Sequence, residues 1–192
     1  GVAHRDNASV TGVAAYYLEH KMPIALGYLI RDELAIWDNA RKVKGESLLA
    51  VGGVKLKEKT AVVLKLCNTV NYVLVGGAVY NVVRRAQGFE VGNSVISEKK
   101  EDYTAKGAEI ASKAGNLLLA TNAVIARSDT LSSRQKVDFY DPKKHKVPAG
   151  FGIYDVTLNH EILQKVQGSR VILWFGNLGM DDYEFNGEHP FA

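Results

Sequence analysis

Two glycines and three lysines stand close together in the segment AVGGVKLKEK (residues 50–59), directly after an apolar run. We expect the chain to turn here from a strand into a helix, whose free N–H groups and positive dipole end can bind an anion without any side chain. Lys55 and Lys59 are four residues apart, so on a helix both would lie on one face and could reach a bound phosphate. Lys57 would point elsewhere. The P-loop pattern GxxxxGK[ST] is absent.

A simpler interpretation of these lysines is a solvated first turn in which Glu58 balances its neighbours, because runs of charge usually face solvent. Lysines are, however, unfavourable at the start of a helix unless an anion offsets the helix dipole. The spacing alone leaves a phosphate site and a solvated face both open.

Strand-length apolar runs alternate with helical stretches along the chain. The runs are Leu48–Val51, Tyr72–Val75, Leu117–Ala120 with Ala123–Ala126 nearby, and Val171–Phe175. The helical stretches are Thr60–Leu66, Ala78–Ala86, Asp102–Lys113 and His160–Val166. Unbroken apolarity is typical of parallel strands covered on both faces, and the alternation favours a parallel sheet between two layers of helices. Three runs end in glycine (AVGG, VLVGG and WFG), where open α/β sheets bring backbone close to a ligand.

Two further segments are predicted from local pattern. A helix that ends near Lys44 and Gly45 is predicted from apolar residues spaced three and four apart, namely Leu26, Leu29, Ile30, Leu34 and Trp37. The stretch DPKKHKVPAGFG (141–152), with its prolines and glycines, predicts a surface loop or hairpin.

The composition bounds the class of protein. The chain has 192 residues, of which 46% are apolar, enough for a globular core. A net charge of +3 suits a small anionic ligand and falls short of the basic patch that nucleic acid needs. The single cysteine, Cys67, excludes an internal disulfide and favours a reducing compartment, the cytoplasm or an organelle interior. No apolar run approaches the roughly 18–20 residues of a membrane span, and the histidines lack metal-ligand spacing. The first residue is Gly rather than Met, so we expect a fragment or a processed piece of a protein.

Six segments, in order along nearly the whole chain, match motifs of one family. AHRDNASVTGV (3–13) is similar to AHRAHASxxGV, LGYLIRDEL (26–34) to GFLxxKEL, and AVGGVKLKEK (50–59) to LGGAKVxDK. VLVGGAVYNVVRRAQGFEVGNS (73–94) is similar to IGGGMAxTFLKAxGxxIGxS, VPAGFGIYD (147–155) to IPxxWxGLD, and LWFGNLGMDDYEF (173–185) to VWNGPxGVFE. The sequence therefore resembles the phosphoglycerate kinase family.

The resemblance implies an α/β fold: a three-layer αβα, Rossmann-like arrangement with a mainly parallel sheet, like the C-terminal lobe of the family. It implies a remnant of the substrate lobe over residues 1–24, the interlobe helix over 25–44, and a nucleotide-binding lobe over 45–192 that ends before the last phosphate-binding turn.

The resemblance also implies roles for single residues. Lys59 would stabilise the transferring phosphoryl group, Lys55 would contact the phosphates of Mg-ADP or Mg-ATP, and Asp182 would stand where the family has a ribose-binding Glu. The nucleotide-binding residues it implies are Gly52, Gly53, Lys55, Lys59, Gly76, Gly77 and Asp182, with Gly76 and Gly77 at the adenine. His4 and Arg5 would belong to the phosphoglycerate site, and Arg5 and Lys59 would be catalytic in an active enzyme. No metal site made of side chains is implied.

The chain departs from the family pattern at several of these motifs. Phe175 and Asn177 replace the Asn and Pro of WNGP, Asn122 replaces the carboxylate of PVD, and the family's GGGDT turn is missing together with the early substrate lobe. Three interpretations follow: a degenerate domain that serves as a structural or interaction subunit, with partner subunits covering the truncated lobe; a nucleotide-binding pseudoenzyme; or a fragment of an active glycolytic kinase that transfers phosphate between 1,3-bisphosphoglycerate and ADP. The substitutions favour the first of these and argue against the third.

Overall fold

The computed structural model of the chain describes residues 11–25, 27–127, 130–139 and 144–179, with the backbone alone at 130–134 and 136–138. The chain divides into two compact units, Gly1–Lys44 and Gly45–Ala192. The assignment of these parts to the lobes of a kinase stays a prediction.

The first unit contains helix α1 (Val13–Glu19) and helix α2 (Tyr28–Lys42). The helix predicted from apolar spacing is thus confirmed as α2, which ends two residues before Lys44. None of its residues is buried: Leu29 is 83% exposed and Ile36 is 68% exposed. Apolar side chains of α2 are thus exposed within the described part of the chain, and Leu26 falls outside it.

The second unit alternates strands and helices. In chain order it contains β1 (Ser47–Val51), α3 (Leu56–Leu66), β2 (Tyr72–Val75), α4 (Gly77–Ala86), β3 (Ser97–Glu98), β4 (Glu101–Asp102), α5 (Thr104–Lys113), β5 (Leu117–Leu118), β6 (Asn122–Arg127), β7 (Thr130–Asp138), β8 (Phe151–Thr157), α6 (His160–Gly168) and β9 (Val171–Phe175). The predicted helices are confirmed, with α3 beginning four residues earlier than expected and α5 two residues later.

A four-stranded parallel sheet forms the centre of this unit, in the order β5-β2-β1-β9. Leu49, Ala50 and Val51 on β1 are fully buried, as expected of an inner strand covered on both faces. The predicted α/β architecture, a mainly parallel sheet with flanking helices, is confirmed.

A second sheet corrects the prediction for the middle of the chain. Ala123–Ala126 was expected among the parallel strands, but it lies in β6, which pairs antiparallel with β7 on one side and β8 on the other. The polar sequence of β7 gave no strand signal. The predicted loop 141–152 is also too long, because Phe151 and Gly152 are buried in β8.

The register of β8 against β6 contains a bulge that changes which side chains face the core. Val124 pairs with Asp155, whereas Ile125 pairs with Ile153, so Tyr154 is the extra residue. Ile153 and Val156 are both buried although they are three residues apart. A bulge shifts the alternation of faces in this way, and it directs Asp155 away from the core position that regular alternation would give it.

No helix in the described part of the chain is long and apolar enough to cross a membrane.

Candidate functional site

The glycines of the sequence motifs meet at one edge of the parallel sheet. Gly52 and Gly53 follow β1, Gly76 and Gly77 follow β2, and Gly176 follows β9, three strands that are neighbours. Parallel strands end at the same edge, so these turns come together where open α/β sheets bind ligands. The structure thus brings together the four glycines of the predicted nucleotide site and Gly176, the glycine that ends the third apolar run.

Tight backbone packing accounts for the glycines at this edge. A methyl group on Gly52 would overlap the carbonyl oxygen of Asn177, and one on Gly76 would overlap that of Leu178. A methyl on Gly77, where φ is +52°, would lie 2.6 Å from the Gly53 nitrogen. The glycines therefore allow the turns to pack against one another and against the residues that follow β9.

We call those following residues the 176–179 segment. Its central residue, Leu178, is buried, and its carbonyl accepts a 2.6 Å hydrogen bond from the Gly77 N–H. The Ala78 N–H in turn donates to the Gly53 carbonyl at 3.1 Å. Two N–H groups at the start of α4 are therefore satisfied by backbone within the site.

The Lys59 side chain lies directly beside this glycine cluster. Its Cε would lie 3.3 Å from a methyl on Gly176 and 3.9 Å from one on Gly53. The side chain is half-buried, and the turns beside it are backbone with no side chain of their own. An ammonium group beside turns that carry no side chain, at a sheet edge, is suited to an anion such as a phosphate.

Lys55 occupies a different position from the one its spacing predicted. It is the residue before α3, with φ −82° and ψ 79°, and its carbonyl accepts the Lys59 N–H at 3.0 Å. Lys55 thus caps the helix on which Lys59 lies, and the idea that both side chains reach one bound phosphate stays a prediction. The Lys55 side chain is exposed.

The start of α3 is not the free anion site that the sequence suggested. The Leu56 N–H donates to the Val54 carbonyl at 3.0 Å, and the Lys57 N–H donates to the Glu98 carboxylate at 2.8 Å. An internal carboxylate, 41 residues away along the chain, thus offsets the dipole beside the lysines. The lysines at this helix start therefore need no bound anion to offset the helix dipole, which was the argument for a ligand here.

Sequence reasoning missed Glu98, Leu178 and Asp155 at this edge. A methyl on Gly179 would overlap the Asp155 carboxylate, so that carboxylate touches the Gly179 Cα from the neighbouring β8. The bulge in β8 accounts for this direction, and a one-residue bulge leaves no mark in the sequence pattern.

The remaining predicted residues cannot be placed. His4, Arg5 and Asp182 lie outside the described residues. Within the described ranges, no group of three or more His, Cys, Asp or Glu side chains could hold a metal ion.

A glycine-lined turn cluster with a lysine beside it, at the carboxyl edge of a parallel sheet, defines an α/β protein with a candidate site for an anionic ligand. The family model for phosphoglycerate kinase matches residues 1–187. The chain therefore belongs to the phosphoglycerate kinase family.

The matches to individual relatives cover nearly the whole of this chain but less than half of each relative. The phosphoglycerate kinase of Finegoldia magna is 31% identical over 186 residues, which is 96% of this chain and 45% of the relative. That of Chloroflexus aurantiacus is 29% identical over 197 residues, 100% of this chain and 46% of the relative. The chain thus spans under half the length of these curated relatives.

Solved structures of phosphoglycerate kinases show the same partial coverage. Phosphoglycerate kinase from Coxiella burnetii superposes with a TM-score of 0.68 at 26% identity, covering 93% of this chain and 45% of that one. Phosphoglycerate kinase from Pyrococcus horikoshii has the same TM-score at 23% identity, covering 93% and 44%. The second likeness shows the fold alone.

Proposed function

We propose that this chain is a nucleotide-binding module of the phosphoglycerate kinase type, which holds the phosphates of Mg-ADP or Mg-ATP at the carboxyl edge of its parallel sheet. The single observation that carries the proposal is the position of Lys59 against Gly53 and Gly176. Family membership adds the class of ligand, because the matched relatives are phosphoglycerate kinases.

The residues present fit a phosphate better than they fit a metal ion. Lys59 supplies a charged donor, and Lys55, exposed one turn away, supplies a second. No described carboxylate cluster would hold Mg²⁺. We therefore expect Mg²⁺ to arrive with the nucleotide and to be held through its phosphates, which is common for this ion.

The reaction itself is proposed only for a fuller assembly, since this chain spans under half of its relatives. There, phosphate would pass between 1,3-bisphosphoglycerate and ADP, with Lys59 and Arg5 in the catalytic roles. Phe175 and Asn177, which replace the Asn and Pro of the family motif, favour a chain that binds nucleotide without turnover.

A structural or interaction role is the second candidate, and α2 favours it. Leu29 and Ile36 on this helix are mostly exposed, together with Trp37. Such a face is costly in water, and partner subunits would cover it. In this candidate Lys55 and Lys59 would be inherited residues without a ligand.

Isothermal titration of Mg-ADP distinguishes the two candidates. A charge-assisted hydrogen bond contributes about 1.5–3 kcal/mol, so Lys59→Ala should weaken binding by roughly 10- to 100-fold. The matched control is Lys65→Ala, an exposed lysine in the last turn of the same helix, which should bind as the parent does. Absence of heat from a folded parent protein would overturn nucleotide binding and favour the structural role.

Inorganic pyrophosphate tests the phosphate-binding part of the proposed site apart from the part that would bind the nucleoside. If Lys59 holds phosphates, Lys59→Ala should weaken pyrophosphate and Mg-ADP alike. Equal weakening by Lys65→Ala would mean that only the general positive charge of α3 matters.

A further inference from the structure

The 176–179 segment lies across the glycine cluster and is fixed on two sides. On one side, the Leu178 carbonyl accepts the Gly77 N–H. On the other, the Asp155 carboxylate touches the Cα of Gly179. Both contacts are long-range, so neither depends on the local conformation of the segment.

We propose that Asp155 is a positioning residue that sets the place of the 176–179 segment over Gly52 and Gly76. The proposal rests on the proposed function in one respect only, namely that the surface so formed is the floor of the nucleotide site. The placement of the segment itself can be measured without a ligand.

The bulge in β8 makes this contact. Regular alternation would put Asp155 on the same face as Ile153, which is buried. Tyr154 is the extra residue opposite β6, so Val156 takes the next core position and Asp155 turns out of it. Its Oδ1 also accepts the Val156 N–H at 2.7 Å, which holds the carboxylate in one orientation.

Gly179 is the counterpart of this carboxylate. Its backbone φ is outside the left-handed region, so alanine is compatible with the local conformation. The three nearest atoms that a methyl there would meet are Oδ1, Cγ and Oδ2 of the Asp155 carboxylate. Gly179→Ala should therefore push the segment away from β8, and shortening Asp155 should make room again.

Trp174 provides a reporter that needs no ligand. Its indole Nε1–H donates a 2.7 Å hydrogen bond to the Gly176 carbonyl, at the start of the segment. The chain has one other tryptophan, Trp37 on α2, so a Trp37→Phe background isolates the signal. Movement of the segment should change the emission of Trp174.

The experiment is a double-variant cycle in the Trp37→Phe background. Gly179→Ala should shift or quench the Trp174 emission, and Asp155→Ala with Gly179→Ala should restore most of the parental spectrum. Gly115→Ala is the matched control, because no atom lies within 4 Å of a methyl there. An emission change in Gly179→Ala that persists unaltered after Asp155→Ala would overturn the proposal.

Asp155→Asn covers the case in which Gly179→Ala does not fold. The amide keeps the shape of the side chain and removes its charge. If packing alone positions the segment, Asp155→Asn should therefore leave the Trp174 emission unchanged. Asp155→Ala alone should change the Trp174 emission, and an unchanged spectrum would contradict the inference.

Mg-ADP titration of the same variants links the inference to the site. Because the methyl displaces backbone of the proposed binding surface, we expect about tenfold weaker binding by Gly179→Ala and recovery in the double variant. If the parent binds no nucleotide, the proposed function fails while the fluorescence cycle still decides the role of Asp155.

Discussion

The buried guanidinium of Arg84 gives the sharpest test of how this fold is held together. Arg84 on α4 is only 5% exposed, and its hydrogen-bond partners are neutral groups. Its Nε donates to the Tyr80 oxygen at 3.1 Å, its Nη1 to Gln87 at 3.0 Å and its Nη2 to the Ala120 carbonyl. The Tyr80 hydroxyl also donates to the Ala120 carbonyl, at 2.8 Å.

Aromatic rings complete the surroundings of this cation. The guanidinium carbon lies 5.2 Å from the ring centre of Phe89, 5.3 Å from that of Tyr80 and 5.6 Å from that of Phe139. Burial raises the pKa of the Tyr80 phenol against the lowering effect of Arg84, so the hydroxyl stays a neutral donor and acceptor. Arg84 and Tyr80 together tie α4 to the chain between β5 and β6.

Tyr80→Phe should cost more stability than Arg84→Met, although it removes a single oxygen atom. Without the hydroxyl, the Nε–H of a buried cation has no acceptor, and a buried unsatisfied group of this kind costs about 2 kcal/mol. Arg84→Met removes the charge together with its demand for partners, and the Ala120 carbonyl keeps the Tyr80 hydroxyl as its donor. We expect about 1 kcal/mol or less for Arg84→Met.

Urea unfolding followed by circular dichroism measures both values. A loss of about 2 kcal/mol corresponds to a fall in melting temperature of roughly 4–8 °C for a unit of this size. Tyr72→Phe is the control, since the Tyr72 hydroxyl bonds Glu46 at an exposed position and its loss should stay within about 0.5 kcal/mol. The reasoning is refuted if Arg84→Met proves the more damaging change by 1 kcal/mol or more.

Three further predictions concern the surface of the second unit. Glu98→Ala should lower the free energy of unfolding by about 1 kcal/mol and Glu98→Gln by less, because the carboxylate caps α3; urea titration checks this. Lys99→Asn with Lys100→Gly should raise the melting temperature, because both lysines have positive φ, 49° and 70°, in a two-residue hairpin turn. Hydrogen bonds from two lysines of α5 lower the pKa of Glu109 from 4.5 to about 2, so its contribution to stability is complete above pH 4.5 and is lost as pH falls towards 2. Glu109→Gln should flatten the acid limb of the stability profile at low salt, and little difference should remain at high salt.

The parallel sheet could be predicted because its strands carry their burial in their own sequence. SLLAV, YVLV and VILWF are apolar at nearly every position. β1 and β2 are buried as such runs predict, whereas Ile172 and Trp174 on the edge strand β9 are 41% and 50% exposed. The same rule failed at Ala123–Ala126, where β6 is also apolar but is the central strand of an antiparallel sheet. Apolarity reports burial, and it does not report the direction of the neighbouring strand.

Contacts that single side chains make with distant segments could not be predicted. Glu98 reaches the start of α3 across 41 residues, through a hairpin whose Lys99–Lys100 turn lacks the usual Asn-Gly signal. Arg84 in α4 looks from sequence like an ordinary cation at the end of a helix, and only the fold encloses it. Each of these contacts depends on where two elements pack, which no local pattern encodes.

The place of the glycines in the fold could be predicted from the sequence, but their purpose could not. Their position after β1, β2 and β9 was enough to predict that they gather at one edge, because parallel strands end together. Their purpose could not be predicted, since close approach of a ligand and close approach of another backbone both require the absence of a Cβ. At Gly52 and Gly76 the neighbour is the chain itself, at Asn177 and Leu178. A loss of nucleotide binding on substituting either glycine would therefore follow from displaced backbone alone, and Lys59, whose removal displaces no backbone, is the residue whose variant reports on the ligand.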